Sequence, residues 1–315
     1  MNYLAIFLTS SLMITTSCYK TPITVTTPAR AKKTASTGDK EMLTGGKINF
    51  NMIYVAGKTV FPLSSDSSND VVATKVDKAY WVAETEVTYE LWYEVKIWAD
   101  KHGYTFANTG GEGTADKANS ENGGVPTTSK NEPVTNINWR DAMVWANALT
   151  EWYNAMNKTN YTCAYYIDPK YKTQIRTSTN SETITTSTAG SQDSPYLKED
   201  ATGFRLLTRN EWILAAKYMD GKTWAPDKSV SGVGVNMSST HAVKGLGLVS
   251  ANALGLYDML GNVSEWVFDS PNDEDSEFAI TSTYRIGYAG VRATIFREPY
   301  FATKWLGLRI AKSAE

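Results

Sequence analysis

Residues Gly255–Asp269 read GLYDMLGNVSEWVFD. A glycine stands at each bend, Gly255 and Gly261, and Leu256, Tyr257 and Met259 lie between them. Asn262 follows Gly261, in a position where an Asn side chain tolerates positive φ and bonds its own backbone. Val263, Trp266, Val267 and Phe268 then add large apolar area. Neither a helical nor a strand period runs through the stretch, so it reads as a tight turn that delivers aromatics into a core.

Three other stretches flank it at long range. EVTYELWYEV (Glu86–Val95) starts a helix at Thr88, with Leu91, Trp92, Val95, Trp98 and Ala99 at helical spacing. EPVTNINWRDAMVWANAL (Glu132–Leu149) offers Asn138 as N-cap with Asp141 three residues on. Thr208 and Glu211 within GFRLLTRNEWILAAKY (Gly203–Tyr218) form a Thr-x-x-Glu capping box, and Trp212, Ala215, Ala216 and Met219 give the buried stripe. Ile48–Leu63 alternates around Gly57-Lys58 and predicts an opening hairpin. The Thr- and Ser-rich run Arg176–Pro195 predicts a poorly ordered insertion. These readings together predict an α+β domain of short helices on small antiparallel sheets.

In this order, and closed by LGLRIA (Leu306–Ala311), the phrases resemble the formylglycine-generating-enzyme (sulfatase-modifying factor) family of the C-type-lectin fold. The resemblance spans roughly Asn49 to Lys312 and implies that fold. It does not by itself imply an activity, since one fold hosts many functions.

Composition bounds the function. A formal net charge of −2 over 315 residues argues against nucleic acid as a partner, which needs a clustered basic face. The apolar run Leu4–Ile14, closed by Thr-Thr-Ser-Cys, reads as an export signal ending at Cys18. It resembles a bacterial lipoprotein cleavage site, so residues 1–18 are expected to be a signal segment and Cys18 a lipidated anchor to the membrane. Plain secretion with cleavage near Ser17 is the alternative. Residues 19–47 carry Thr, Lys, Pro and Ser without apolar periodicity and are expected to be a tether, with the folded domain over 48–315. The expected location is the bacterial cell envelope, facing outward.

The chain has two cysteines, Cys18 and Cys163. With Cys18 lipidated, Cys163 has no partner for a disulfide, and its strand-like context, YTCAYYI, reads as a buried small hydrophobe. The oxidase branch of the resembled family holds copper through two C-terminal thiolates, and no cysteine follows Cys163. His102 and His241 are far apart and do not form a cluster. No catalytic residue, metal or cofactor is therefore assigned. The resemblance also implies a calcium role for the Asn and Glu of the Gly-Asn phrase, which makes Asn262 and Glu265 weak calcium candidates. A metal-free structural turn is the competing reading.

The C-terminal run TYRIGYAGVRATIFREPYFATKWLGLRIA (Thr283–Ala311) keeps the family's Pro299, Gly307 and Arg309 but drifts between them. That drift resembles the variable region of diversity-generating-retroelement proteins, in which adenines of Asn codons are mutagenised. No Asn occurs from Asp273 to Glu315. The resemblance implies a variable ligand-binding region over 283–305, with Tyr284, Arg285, Ile286, Tyr288, Ala289, Val291, Arg292, Thr294, Phe296, Tyr300, Phe301 and Thr303 as contact residues. The aromatics and guanidiniums there offer rigid contact area with hydrogen-bonding tips. The expected partner is another protein or other macromolecule. A modifying enzyme of the same family and a non-variable assembly lipoprotein are the alternatives.

Overall fold

Three capped helices set the frame. In α1 (Tyr89–Asp100) the Thr88 side chain accepts from the Leu91 backbone N–H at 3.3 Å. In α2 (Trp139–Asn157) Asn138 and Asp141 complete a reciprocal capping box, and in α3 (Arg209–Lys217) Thr208 and Glu211 do the same. Each box satisfies two N–H groups that the first turn leaves without partners. The chain is seen in a computed structural model that describes residues 34–63, 73–113, 123–225, 250–259, 261–269, 285–288 and 294–314, the segments 285–288 and 294–296 as backbone. Among the described residues no helix is long and apolar enough to cross a membrane. The apolar run, Cys18 and His241 lie outside the described residues.

The first sheet joins β1 (Lys40–Gly45), β2 (Ile48–Val55) and β5 (Tyr80–Ala83) to β15 (Ile310–Ser313) and β10 (Phe204–Leu206), in the order β1-β2-β5-β15-β10. Strands from the beginning and the end of the described residues thus meet in one sheet, with Val82 opposite both Ile53 and Ala311. Two expectations change here. β1 lies inside the stretch expected to be tether, because Leu43 and Gly45 are buried when β1 pairs with β2. The ordered domain therefore starts well before residue 48. β2 also does not pair across Gly57-Lys58: its partners are β1 and β5, while β3 (Thr59–Pro62) pairs with β4 (Ala73–Val76).

Short ladders β6 (Gly111–Glu112) with β7 (Val134–Thr135), and β8 (Tyr165–Tyr166) with β9 (Tyr196–Leu197), flank the helices. The core is rich in indoles. Trp92 and Trp145 stack at 5.3 Å between α1 and α2, and Trp139, Trp212 and Trp266 are fully buried. Each of these five indole N–H groups has an acceptor, which removes the cost of burying the donor. The α3 stripe is shorter than its sequence period: the helix ends at Lys217, and Met219 is exposed.

The Arg176–Pro195 insertion is ordered, against expectation. Arg140, fully buried on α2, forks onto Asp193 at 2.6 and 2.8 Å. It also donates to the carbonyl oxygens of Thr179, Ser181 and Thr183. One cation from a helix thereby fixes a loop whose own composition carries no core.

Candidate functional site

The second sheet carries the C-terminal segment. β11 (Ser264–Trp266) pairs in parallel with β14 (Leu306–Leu308) and antiparallel with β12 (Arg285–Tyr288), which pairs with the edge strand β13 (Thr294–Arg297). The Gly-Asn turn starts this sheet. Gly261 and Asn262 take φ of 129° and 63°, and Val263 follows with its N–H on Glu86 Oε1 at 3.1 Å. Gly307 of β14 must stay small, since a Cβ there would lie 2.5 Å from the Val134 carbonyl oxygen.

Below the turn is a closed set of charges. Glu265 accepts from Arg309 Nε at 3.0 Å and Nη2 at 2.7 Å, and from Trp212 Nε1 at 2.6 Å. Arg309 also donates to the carbonyls of Ala83 and Tyr257, so one guanidinium ties β5, β11 and the residue before Asp258 together. Burial works against the Arg309 charge, but Glu265, Glu86 and Asp258 together more than offset it and raise the guanidinium pKa. Glu86 accepts from Asn262 Nδ2 at 2.6 Å. Its carboxyl is pushed well above the usual range, first by burial and then by Asp258 and Glu265. The calcium candidates Asn262 and Glu265 both belong to this set. A cation on Glu265 would face the Arg309 guanidinium on the same oxygens.

Of the expected contact residues, Tyr284, Ala289, Val291 and Arg292 lie outside the described residues. Five are brought onto neighbouring rungs of the β12–β13 ladder: Arg285 opposite Arg297, Ile286 opposite Phe296, and Tyr288 opposite Thr294. Tyr288 also pairs with Glu265, so the ladder is hung directly on the charged set. Tyr300, Phe301 and Thr303 follow in a half-buried loop. The Arg297 guanidinium lies 5.2 Å from the Phe301 ring, and the buried Arg140 lies 6.0 Å from the Tyr300 ring. The Thr303 carbonyl accepts from the Asn136 N–H at 3.0 Å, which anchors the loop to the segment before α2. Trp305 is half-buried, with Lys304 Nζ 4.7 Å from its ring.

Arg140, Asp193 and Glu86 are structural partners that the sequence reading passed over. The signal available for Arg140 was its place in NWRDA, a charge between two residues committed to the helix start and core. Nothing local marked Asp193.

A copper centre of the kind the family implies needs two soft thiolates. Cys163 is buried, its Sγ faces the Asn147 carbonyl oxygen at 3.6 Å, and burial raises its thiol pKa well above the ordinary value. The chain has no second cysteine but Cys18. This donor set does not fit copper, and no step is derived through it. His102 is packed against Trp98, with ring centroids 3.8 Å apart and Nδ1 at 2.6 Å from the Trp98 carbonyl.

Solved structures share this architecture. The Treponema denticola variable protein 1 is similar at 25% identity and a TM-score of 0.59, covering 87% of this chain and 99% of that one. CarF is similar at 22% identity and 0.60, covering 84% and 99%. PvdO from Pseudomonas aeruginosa stands at 15% and 0.50, covering 89% and 100%. No curated protein matches the chain. The sulfatase-modifying factor enzyme 1-like domain matches residues 26–314, and with capped helices, two sheets and the Gly-Asn turn in place the chain belongs to that family, with its C-type-lectin-like α+β fold.

Proposed function

We propose that this protein is a non-enzymatic lipoprotein, anchored through Cys18 at the outer face of a bacterial cell envelope. Its segment 283–305 is a variable region that binds macromolecular ligands on a fixed scaffold. The observation that carries the reading is the likeness to the Treponema denticola variable protein 1 over nearly the whole of both chains. Its support within the molecule is the division of labour around β12 and β13. The backbone of β12 is held by pairing to β11, and that of β13 by pairing to β12, and pairing through the backbone suits a fixed scaffold that carries changing residues. The unfit thiol supports binding over oxidase chemistry.

Sequencing the 3′ end of the gene in one cultured population tests it. The expected result is substitution confined to adenines of a nearby template copy, clustered in the codons for Tyr284–Thr303. A uniform 3′ end with no template copy overturns the variable-region reading and leaves a fixed-sequence lipoprotein. Oxygen consumption on a thiol peptide, with copper or iron retained through purification, overturns the non-enzymatic reading.

A further inference from the structure

A cavity of about 290 Å³ lies at the junction of β2, β5 and α1, and none of its lining residues belongs to 283–305. One part of its wall is hydrocarbon, from Phe50, Val87, Leu91 and Ile310. The other part carries two carboxylic residues, Glu84 and Glu86, exposed by only 5% and 1%. Asn49 and Asn131 are its exposed members. The size suits a small ligand, and the wall suits one with an apolar stem and a polar end.

The two carboxylates are served differently. Glu84 accepts from the ammonium of Lys40 at 2.6 Å and from Asn51 Nδ2 at 2.7 Å. Lys40 is about half exposed, with 47% of its side chain accessible. Glu86 accepts only neutral donors in the contacts described above, Asn262 Nδ2 and the Val263 N–H. Asp258 and Glu265 repel its charge, and Arg309, which attracts it, is forked onto Glu265. A buried carboxyl with like charges behind it and a cavity beside it gains most from a cation that enters through the cavity. The hydrocarbon half of the wall disfavours a bare metal ion, which needs several oxygen ligands. The Lys40–Glu84 contact shows that a lysine-type ammonium meets one of these carboxylates at good hydrogen-bond distance.

We propose that this cavity binds a small aliphatic ammonium, an alkylamine or lysine-like side chain, with its stem on Leu91 and Val87 and its charge shared by Glu84 and Glu86. The site is independent of the variable-region reading. A cation beside Glu86 would lower its raised carboxyl pKa, because the cation stabilises the ionised form. Lys40 competes for Glu84, so the chain's own lysine weakens the site.

Isothermal titration calorimetry of the mature chain with n-butylammonium tests this, with n-butanol and calcium chloride as comparison probes. Butylammonium is expected to bind saturably and about tenfold or more tightly than butanol. Lys40→Ala is expected to tighten binding severalfold, and Glu86→Gln to weaken it about tenfold. Equal binding of butanol, absence of saturable binding, or tighter binding of calcium at the same site overturns the proposal. Should Glu86→Gln fail to fold, Lys40→Ala decides alone, since Lys40 is half exposed: unchanged affinity in that variant also overturns it.

Discussion

Arg309 and Arg297 belong to the same C-terminal run, one between β14 and β15 and the other at the end of β13, and do opposite things. Arg309 is fully buried and donates to Glu265, Ala83 and Tyr257. Arg297 is exposed and lies over the Phe301 ring. Both are guanidiniums beside aromatic and acidic residues, so residue type does not separate scaffold from surface. Burial does. A buried charge is bound to one geometry because leaving it unpaired costs several kcal/mol, whereas an exposed one exchanges its partner for water at little cost. The same contrast holds between Arg140, which organises a loop from beneath, and Phe301, which lies half-buried above.

The comparison breaks most visibly at Arg309. Arg309→Ala leaves Glu265 buried without its cation and is expected to cost about 3–5 kcal/mol in urea unfolding. A loss below about 1 kcal/mol would mean that the pair is not what holds β11 to β5. Arg140→Ala comes next, at about 2–3 kcal/mol, since several charge-assisted hydrogen bonds go with it. Its particular signature is faster amide exchange over Thr179–Asp193. Unchanged exchange there would show that the insertion orders itself. Tyr300→Ala probes the boundary between the two regions. It removes the ring beside the Arg140 guanidinium and is expected to cost about 1 kcal/mol, read by the same unfolding curve.

The helix starts were legible from sequence because capping chemistry is local: Asn138 with Asp141 and Thr208 with Glu211 sit three residues apart and can be read together. The Gly-Asn turn was legible for the same reason, as both residues take positive φ. What failed was non-local. β1 has few apolar residues and is a strand only because β2 accepts it, and β2 left its expected partner across Gly57-Lys58 for β1 and β5. The Arg176–Pro195 run reads as disorder by composition, and its order is supplied by Arg140 from another element. At the candidate site, the drifting segment and the lack of a cysteine after Cys163 were legible in the sequence itself. The support beneath it was not. Glu86, Glu265 and Arg309 come from three separate phrases, and their meeting depends on pairing between strands far apart in sequence.

The smallest stability effect is the one that sharpens the comparison most. Arg297→Ser and Phe301→Ser, singly, are expected to change unfolding free energy by no more than about 0.5 kcal/mol, because neither closes a core nor leaves a buried polar group unpaired. Each substitution alone already removes the guanidinium-over-ring contact, worth about 0.5 kcal/mol at an exposed site, so the double variant is expected to lose less than the sum of the singles. If the segment is a contact surface, ligand recognition changes in these variants while the unfolding curve barely moves. A loss of several kcal/mol on Phe301→Ser would place the loop in the core with Leu306 and Ile310. The distinction between the two arginines would then fail at its exposed end, and diversification of 283–305 would endanger the fold it was meant to leave intact.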